Sequence, residues 1–258
     1  SMEEFQAFES LQYSIDIIDV TGDGDYSQFT IKGFAVTPTA VFKFRLPELL
    51  PTVDKVLYLD GDVIVRKDLT GFWQTDISEL YVAAVSGRGG FFHHGKTLKE
   101  RLADHYEGYF NSGVMLLNLD LMRQDDITDR LFEYRANGRN DFMDQDALNV
   151  VLGAKALFLP FKYNTTSICL RYSDPWHLNR IYPETHLKSI DDAFEQSVVY
   201  HYSSPMKPWK HEGVRFQAAW DDEYAASPFS TVVLNREILE RGAMEDVEIA
   251  KGSAIGGE

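Results

Sequence analysis

A chain of 258 residues, 44% hydrophobic and 25% charged, is long enough for a sizeable core and has the composition of a globular protein. Its formal charge of −15, from 25 Lys and Arg against 40 Asp and Glu, argues against non-specific nucleic-acid binding and against adhesion to anionic lipid through a basic face. No apolar run approaches the roughly 18 residues needed to span a bilayer. The one cysteine, Cys169, excludes an intrachain disulfide and suits a reducing, cytoplasmic compartment.

In chain order, Glu3, Phe5, Phe8 and Leu11 read as the end of an amphipathic helix. Ile15, Ile17, Ile18 and Val20 read as a short strand, closed by the turn cluster Thr21-Gly22-Asp23-Gly24-Asp25. Ala40 to Leu50 reads as a helix whose far end is broken by Pro47 and Pro51. The apolar run from Lys55 to Val65 follows, then a buried strand from Tyr81 to Val85 that leads into a Gly-rich loop carrying His93 and His94. Tyr109 to Leu119 is a third strand. Helices are expected over Asp125 to Tyr134 and Asp144 to Leu152, and further strands over Ala156 to Leu159 and Val198 to His201. This alternation predicts an α/β fold with a mixed, mostly parallel sheet flanked by helices. One domain would cover residues 1–220. The acidic remainder, 221–258, would be a partly disordered extension.

The chemistry concentrates in four places. Asp60-Gly61-Asp62 ends an apolar strand, where open α/β sheets bind their ligands. Two carboxylates that close repel each other and invite a cation, and Gly61 is expected to keep the turn narrow. His201 to Trp209 follows another apolar run; a neutral imidazole would complete an Asp/Asp site for Mn²⁺, with Lys207 six residues on as a phosphate contact. Tyr109-Phe110-Asn111-Ser112-Gly113 offers small residues and an amide at a strand start. Asp144-Gln145-Asp146 opens a helix, either as a plain N-cap or facing sugar hydroxyls. Asp23 and Asp25 repeat the Asp-x-Asp pattern in a solvated-turn setting, and His93, His94 and His105 read as surface residues.

Together, Tyr58 to Asp62, Tyr109 to Val114, Asp144 to Asn149 and His201 to Trp209 resemble the family 8 glycosyltransferases, in order and spacing, across roughly residues 10 to 210. The resemblance implies the GT-A fold and a retaining transfer of glucose or galactose from a UDP-sugar to a glycan, lipopolysaccharide or protein acceptor. It implies that Asp60, Asp62 and His201 hold Mn²⁺, with Mg²⁺ as the alternative ion. Lys43, Tyr58, Asp60, Gly61, Ser204 and Lys207 would then bind the donor, with Lys207 and the backbone at Ser204 on its phosphates. Asn111, Ser112, Gly113, Asp144 and Gln145 would line the transferred sugar, Gln145 and Asp144 as the catalytic pair, with Gln145 near the reacting carbon. Lys43 stands where many members carry arginine, and Ser204 where glycine is usual. Members begin with a strand–helix–strand unit that binds the nucleoside, and this chain is expected to start after it.

Two other readings stay open at this point. A hydrophobic strand followed by Asp-x-Asp also looks like a haloacid-dehalogenase phosphohydrolase. A non-catalytic sugar-binding module is the third. Partners would be the nucleotide sugar and a glycan or lipid-linked acceptor, with no nucleic acid. An exposed sheet edge would suit pairing of two copies. A place at the inner face of a membrane would bring the chain to a lipid-linked acceptor.

Overall fold

The computed structural model describes residues 15–20, 30–31, 34–35, 40–87, 108–137, 144–172, 174–232, 234 and 236–238. The expected helix near residues 3–12, the turn carrying Asp23 and Asp25, the histidines His93, His94 and His105, and the tail beyond residue 238 lie outside them. The chain divides into two compact units, one of residues 17–203 and one of residues 1–16 with 204–258.

Among the described residues of the larger unit the strands are β1 (Thr30–Ile31), β2 (Phe34–Ala35), β3 (Lys55–Leu59), β4 (Val63–Val65), β5 (Val82–Ser86), β6 (Phe110–Asn118), β7 (Ala156–Leu159), β8 (Thr165–Thr166) and β9 (Val199–His201). Its described helices are α1 (Leu46–Leu49), α2 (Thr70–Trp73), α3 (Leu119–Gln124), α4 (Ile127–Asn137), α5 (Gln145–Leu152), α6 (Ser167–Tyr172), α7 (Pro175–Ile181) and α8 (Ile190–Gln196). The main sheet runs β3-β6-β5-β7; a second runs β4-β9-β8; β1 and β2 form a hairpin.

The central strand β6 is antiparallel to both neighbours, β3 and β5, while β5 pairs parallel with β7. Parallel ladders therefore do not dominate the described sheets. Alternating strands and helices do not set strand direction when a long connection, such as the one from Ser86 to Phe110, separates consecutive strands. Along β6 the side chains alternate as a pleat requires. Met115 and Leu117 pack with Phe44, Val82, Leu119, Leu131 and Leu148 on one face; Val114 and Leu116 pack with Phe72, Ala83 and Val199 on the other.

Three local expectations change. Ile15 to Val20 forms no strand, and Ile15, Ile17 and Ile18 are exposed; β-branched residues favour a strand only where a pleated neighbour can be covered. Pro47 starts a helix instead of breaking one: it lies in the first turn of α1, after a 3-10 turn over Phe42–Arg45, where its missing N–H costs nothing. The run from Lys55 to Val65 is two strands in two sheets, separated by Asp60-Gly61-Asp62.

The smaller unit contains β10 (His211–Glu212), β11 (Glu237–Ile238) and the helix α9 (Gln217–Ala226). Acidic composition suggests loose chain beyond Trp220, yet α9 runs through that position. Four alanines suit a helix, and Trp220 stacks on Tyr224 one turn later, centroids 5.0 Å apart. Among the described residues no helix is long and apolar enough to cross a membrane.

Candidate functional site

Two ladders hold the Asp60-Gly61-Asp62 turn. Leu59 pairs with Val114, and the Asp60 N–H donates to the Gly113 carbonyl at 2.7 Å. On the other side Val63 pairs with His201, and the Tyr202 N–H donates to the Asp62 carbonyl at 2.9 Å. The end of β3 and the end of β9 are thereby drawn together. Asp60, Asp62 and His201 each offer one ligand atom, all within 4.8 Å of one another.

His201 Nε2 lies 3.1 Å from Asp62 Oδ1 and 3.9 Å from Asp60 Oδ2. Its Nδ1 lies 3.1 Å from Asn164 Oδ1. Both ring nitrogens thus face oxygen, while a neutral imidazole carries a single N–H. A doubly protonated ring, or a divalent cation at Nε2 between the two carboxylates, would satisfy both contacts. One nitrogen and two carboxylates form a donor set that suits Mn²⁺. Gly113 makes the approach possible: a Cβ there would overlap His201 Cε1 and sit 2.7 Å from Asp60 Oδ2. Gly61 is not constrained in that way, since a Cβ on it would meet nothing within 4 Å.

The second oxygen of Asp60 is occupied. Oδ1 accepts from the Tyr58 hydroxyl at 2.7 Å and from Lys43 Nζ at 3.2 Å. Lys43 Nζ also reaches Asp144 Oδ2 at 2.9 Å and the Ser112 carbonyl at 3.3 Å. Three ammonium N–H groups thus have three oxygens. Burial disfavours the charged ammonium, but Asp144 and then Asp60 outweigh it and hold the Lys43 pKa above the ordinary lysine value. Burial pushes the Tyr58 hydroxyl up, with Lys43 opposing and Asp60 adding, so it stays a donor.

Asp144 occupies the N-cap position of α5 but makes no capping hydrogen bond. Its carboxylate turns to Lys43 and to the Ser112 hydroxyl, at 2.8 Å. Gln145 Oε1 accepts from Asn111 Nδ2 and from the Ser112 N–H, each at 3.1 Å. Asn149 clamps Phe110, accepting from its N–H at 2.6 Å and donating to its carbonyl at 2.8 Å, which ties α5 to the start of β6.

Asp60, Asp62, His201, Asn111, Ser112, Gly113, Asp144 and Gln145 all line one cleft of about 310 Å³, together with Ser86, Gly87, Thr166, Ile168 and Ser203. A larger cavity, of about 370 Å³ between Phe161, Glu184 and Leu187, shows no comparable convergence of carboxylates and imidazole. Lys43, Tyr58 and Gly61 are not among the lining residues. Ser204 and Lys207 belong to the smaller unit, where the Ser204 hydroxyl donates to the Met206 carbonyl at 3.3 Å and Lys207 Nζ lies 5.8 Å from the Trp209 ring.

Sequence reasoning passes over Asn164, Tyr109 as a hydrogen-bonding group, and Ser203. The Tyr109 hydroxyl donates to Asp146 Oδ1 at 2.7 Å and accepts from Gln145 Nε2 at 3.1 Å. Burial and then Asp146 push its pKa up, so it remains protonated. The Ser203 hydroxyl is buried and makes no hydrogen bond among the described residues. Tyr109 and Ser203 lie inside stretches that the sequence marks, but nothing there gives them these roles, and Asn164 lies outside every such stretch; only the packing reveals the three.

Residues 2–213 match the family described as Glycosyl transferase family 8. General stress protein A of Bacillus subtilis is 27% identical over 207 residues, 78% of this chain and 69% of that protein. Lipopolysaccharide 1,3-galactosyltransferase of Salmonella typhimurium is 26% identical over 219 residues, 82% of this chain and 61% of that enzyme, so the match spans less than two thirds of its length. Among solved structures, the galactosyltransferase LgtC in complex with donor and acceptor sugar analogues superposes with a TM-score of 0.63 at 26% identity, over 81% of this chain and 73% of that one. The ordered motifs, the strand arrangement and the family match agree: the chain belongs to glycosyl transferase family 8 and has the GT-A fold of those enzymes.

Proposed function

We propose that this chain is a metal-dependent, retaining hexosyltransferase that uses a UDP-sugar, UDP-glucose or UDP-galactose, as donor. The observation that carries the reading is the convergence of Asp60, Asp62 and His201, with ligand atoms within 4.8 Å, in a cleft also lined by Asn111, Ser112, Asp144 and Gln145. These three residues would hold Mn²⁺, or Mg²⁺ in its place. When bound there, the ion supplies Lewis acidity toward the donor's diphosphate and offsets the charge that develops as the anomeric bond breaks.

The chain's own residues do the positioning. Asn111 and Ser112 fix the Gln145 carboxamide at the cleft wall, and Lys43 holds Asp144 and Asp60 at a set separation. Lys43 and Tyr58 serve the donor indirectly in this reading, through Asp60. Gln145 Oε1 already accepts two hydrogen bonds, which makes an amide oxygen, weak as a nucleophile in any case, weaker still. This supports attack by the acceptor from the face the leaving group departs, rather than a covalent intermediate on Gln145. Lys207 and the backbone at Ser204 keep their proposed phosphate contacts on the strength of the family resemblance.

The galactosyltransferases among the relatives support a glycan or lipopolysaccharide acceptor; the cytoplasmic setting, at the inner face of a membrane, rests on the family resemblance alone. Pairing of two copies finds support in β7, at the edge of the main sheet among the described residues, with Leu157 and Phe158 exposed. The family match displaces the phosphohydrolase reading. The test is a screen of nucleotide sugars with Mn²⁺, following slow donor hydrolysis, alongside thermal melting with UDP and Mn²⁺. Turnover of one UDP-hexose supports the transferase. A ligand at 100 times its dissociation constant stabilises by about 2.7 kcal/mol, so an unmoved melting temperature at saturating UDP and Mn²⁺ would favour the non-catalytic module.

A further inference from the structure

A continuous run of hydrogen bonds lies behind the cleft. His201 Nδ1 meets Asn164 Oδ1 at 3.1 Å; Asn164 Nδ2 donates to Asn111 Oδ1 at 2.8 Å; Asn111 Nδ2 donates to Gln145 Oε1 at 3.1 Å. Gln145 Nε2 then donates to the Tyr109 hydroxyl, which donates to Asp146. The direction of each link is imposed by groups that can play one role only. The Gly113 N–H, a donor, points at Asn111 Oδ1 at 3.0 Å, and the Ser112 N–H, also a donor, points at Gln145 Oε1. The Asp146 carboxylate accepts, so Tyr109 must give. Asn111 therefore turns its oxygen to Asn164, Asn164 must answer with its NH₂, and its own oxygen is left facing His201 Nδ1.

We propose that Asn164 is a positioning residue for the metal centre. It keeps the proton of His201 on Nδ1 and leaves the Nε2 lone pair aimed between Asp60 and Asp62. This rests on the metal reading of that cluster. Asn164 is 1% exposed and does not line the cleft, so it acts through His201 instead of touching substrate. Its place follows from register: Thr166 pairs with His201, and Asn164 closes the 3-10 turn two residues earlier. A second consequence is coupling. Asn111 is shared, so the orientation of the imidazole and that of the Gln145 carboxamide are set by the same amide. Hydrogen bonds from the outer shell to a metal-binding histidine typically matter by 10- to 100-fold in metal affinity, about the effect expected here.

The deciding measurement uses the full chain labelled with ¹⁵N-histidine, the His201 ring being identified by its loss in His201→Ala. Imidazole ¹H–¹⁵N correlations, without metal and with diamagnetic Mg²⁺, are expected to show Nδ1 protonated in both states. A ring protonated on Nε2 alone would overturn the proposal. In parallel, Mn²⁺ affinity read by electron paramagnetic resonance should fall about 10- to 100-fold in Asn164→Leu, which removes the oxygen facing Nδ1. Wild-type affinity in Asn164→Leu would also overturn it. Should Asn164→Leu fail to fold, the wild-type spectra decide alone. An Nδ1–H in a protein that binds no Mn²⁺ would leave this assignment standing and remove the metal reading.

Discussion

Gly113 lies so close beneath the His201 ring that a Cβ on it would overlap Cε1 and press on the Asp60 carboxylate, 2.7 Å away. The backbone N–H of the same residue donates to Asn111, and its carbonyl accepts from Asp60. One glycine therefore sets how near the strand end at Asp60 and the strand end at His201 can come. We predict that Gly113→Ala destabilises by about 1–3 kcal/mol, the usual cost of overpacking. Mn²⁺ affinity should fall with it. Gly61→Ala, where a Cβ meets nothing, should leave both nearly unchanged. Denaturant unfolding and Mn²⁺ titration of the two variants check the contrast, and equal effects would contradict it.

Lys43 ties together two carboxylates from distant parts of the chain. Replacing it by methionine keeps the bulk and removes the charge, leaving Asp144 buried beside an apolar stem. We predict a loss of about 3 kcal/mol, the scale seen when one partner of a buried pair is removed. Lys43→Arg should fold but show altered donor kinetics, since a planar guanidinium cannot reproduce a three-way ammonium. Unfolding free energies decide the first point, and a methionine variant as stable as wild type would mean that the bridge is not structural.

Ser203 carries a hydroxyl that is buried, makes no hydrogen bond among the described residues and lines the cleft. Deleting an unsatisfied hydroxyl costs little, so Ser203→Ala should keep stability within about 0.5 kcal/mol. If the bound donor supplies its partner, the donor KM rises about tenfold, as for the loss of one hydrogen bond to a charged group. An unchanged KM would take Ser203 out of the binding site.

How much of this was readable in advance depends on distance along the chain. The ends of β3, β6 and β9 are apolar runs meeting polar residues, and that contrast marks Asp60, Asp62, Asn111 and His201 without any coordinates. Asp144 looked equally suited to capping its helix, and only the approach of Lys43 and Ser112 shows where its carboxylate goes. Asn164 carries no local signal. It sits in a short 3-10 turn, and its importance comes from a strand register with His201, 37 residues on. Pro47 misled for a different reason: a proline that ends one helical turn can begin the next. The antiparallel setting of β6 was invisible because the long connection before it can return the chain in either direction.

Cys169 gives a pH prediction away from the site. Its thiol is fully buried; burial pushes its pKa up, from an ordinary 9.0 to about 11, with Thr166 and Tyr182 opposing. The folded state thus keeps a proton that the unfolded chain has already lost. Stability from this group is complete below pH 9 and declines as pH rises toward 11, by about 3 kcal/mol in all. Cys169→Ala should show a shallower decline over that window. Identical slopes for the two proteins would contradict the assignment, as would rapid alkylation of native Cys169 at neutral pH.

Whether Asp60, Asp62 and His201 hold one divalent ion is decided by a Mn²⁺ titration followed by electron paramagnetic resonance. We predict one tight site per wild-type chain, weakened at least about tenfold in both Asp62→Asn and His201→Ala, each confirmed folded by its unfolding curve. Wild-type affinity in either folded variant would contradict it.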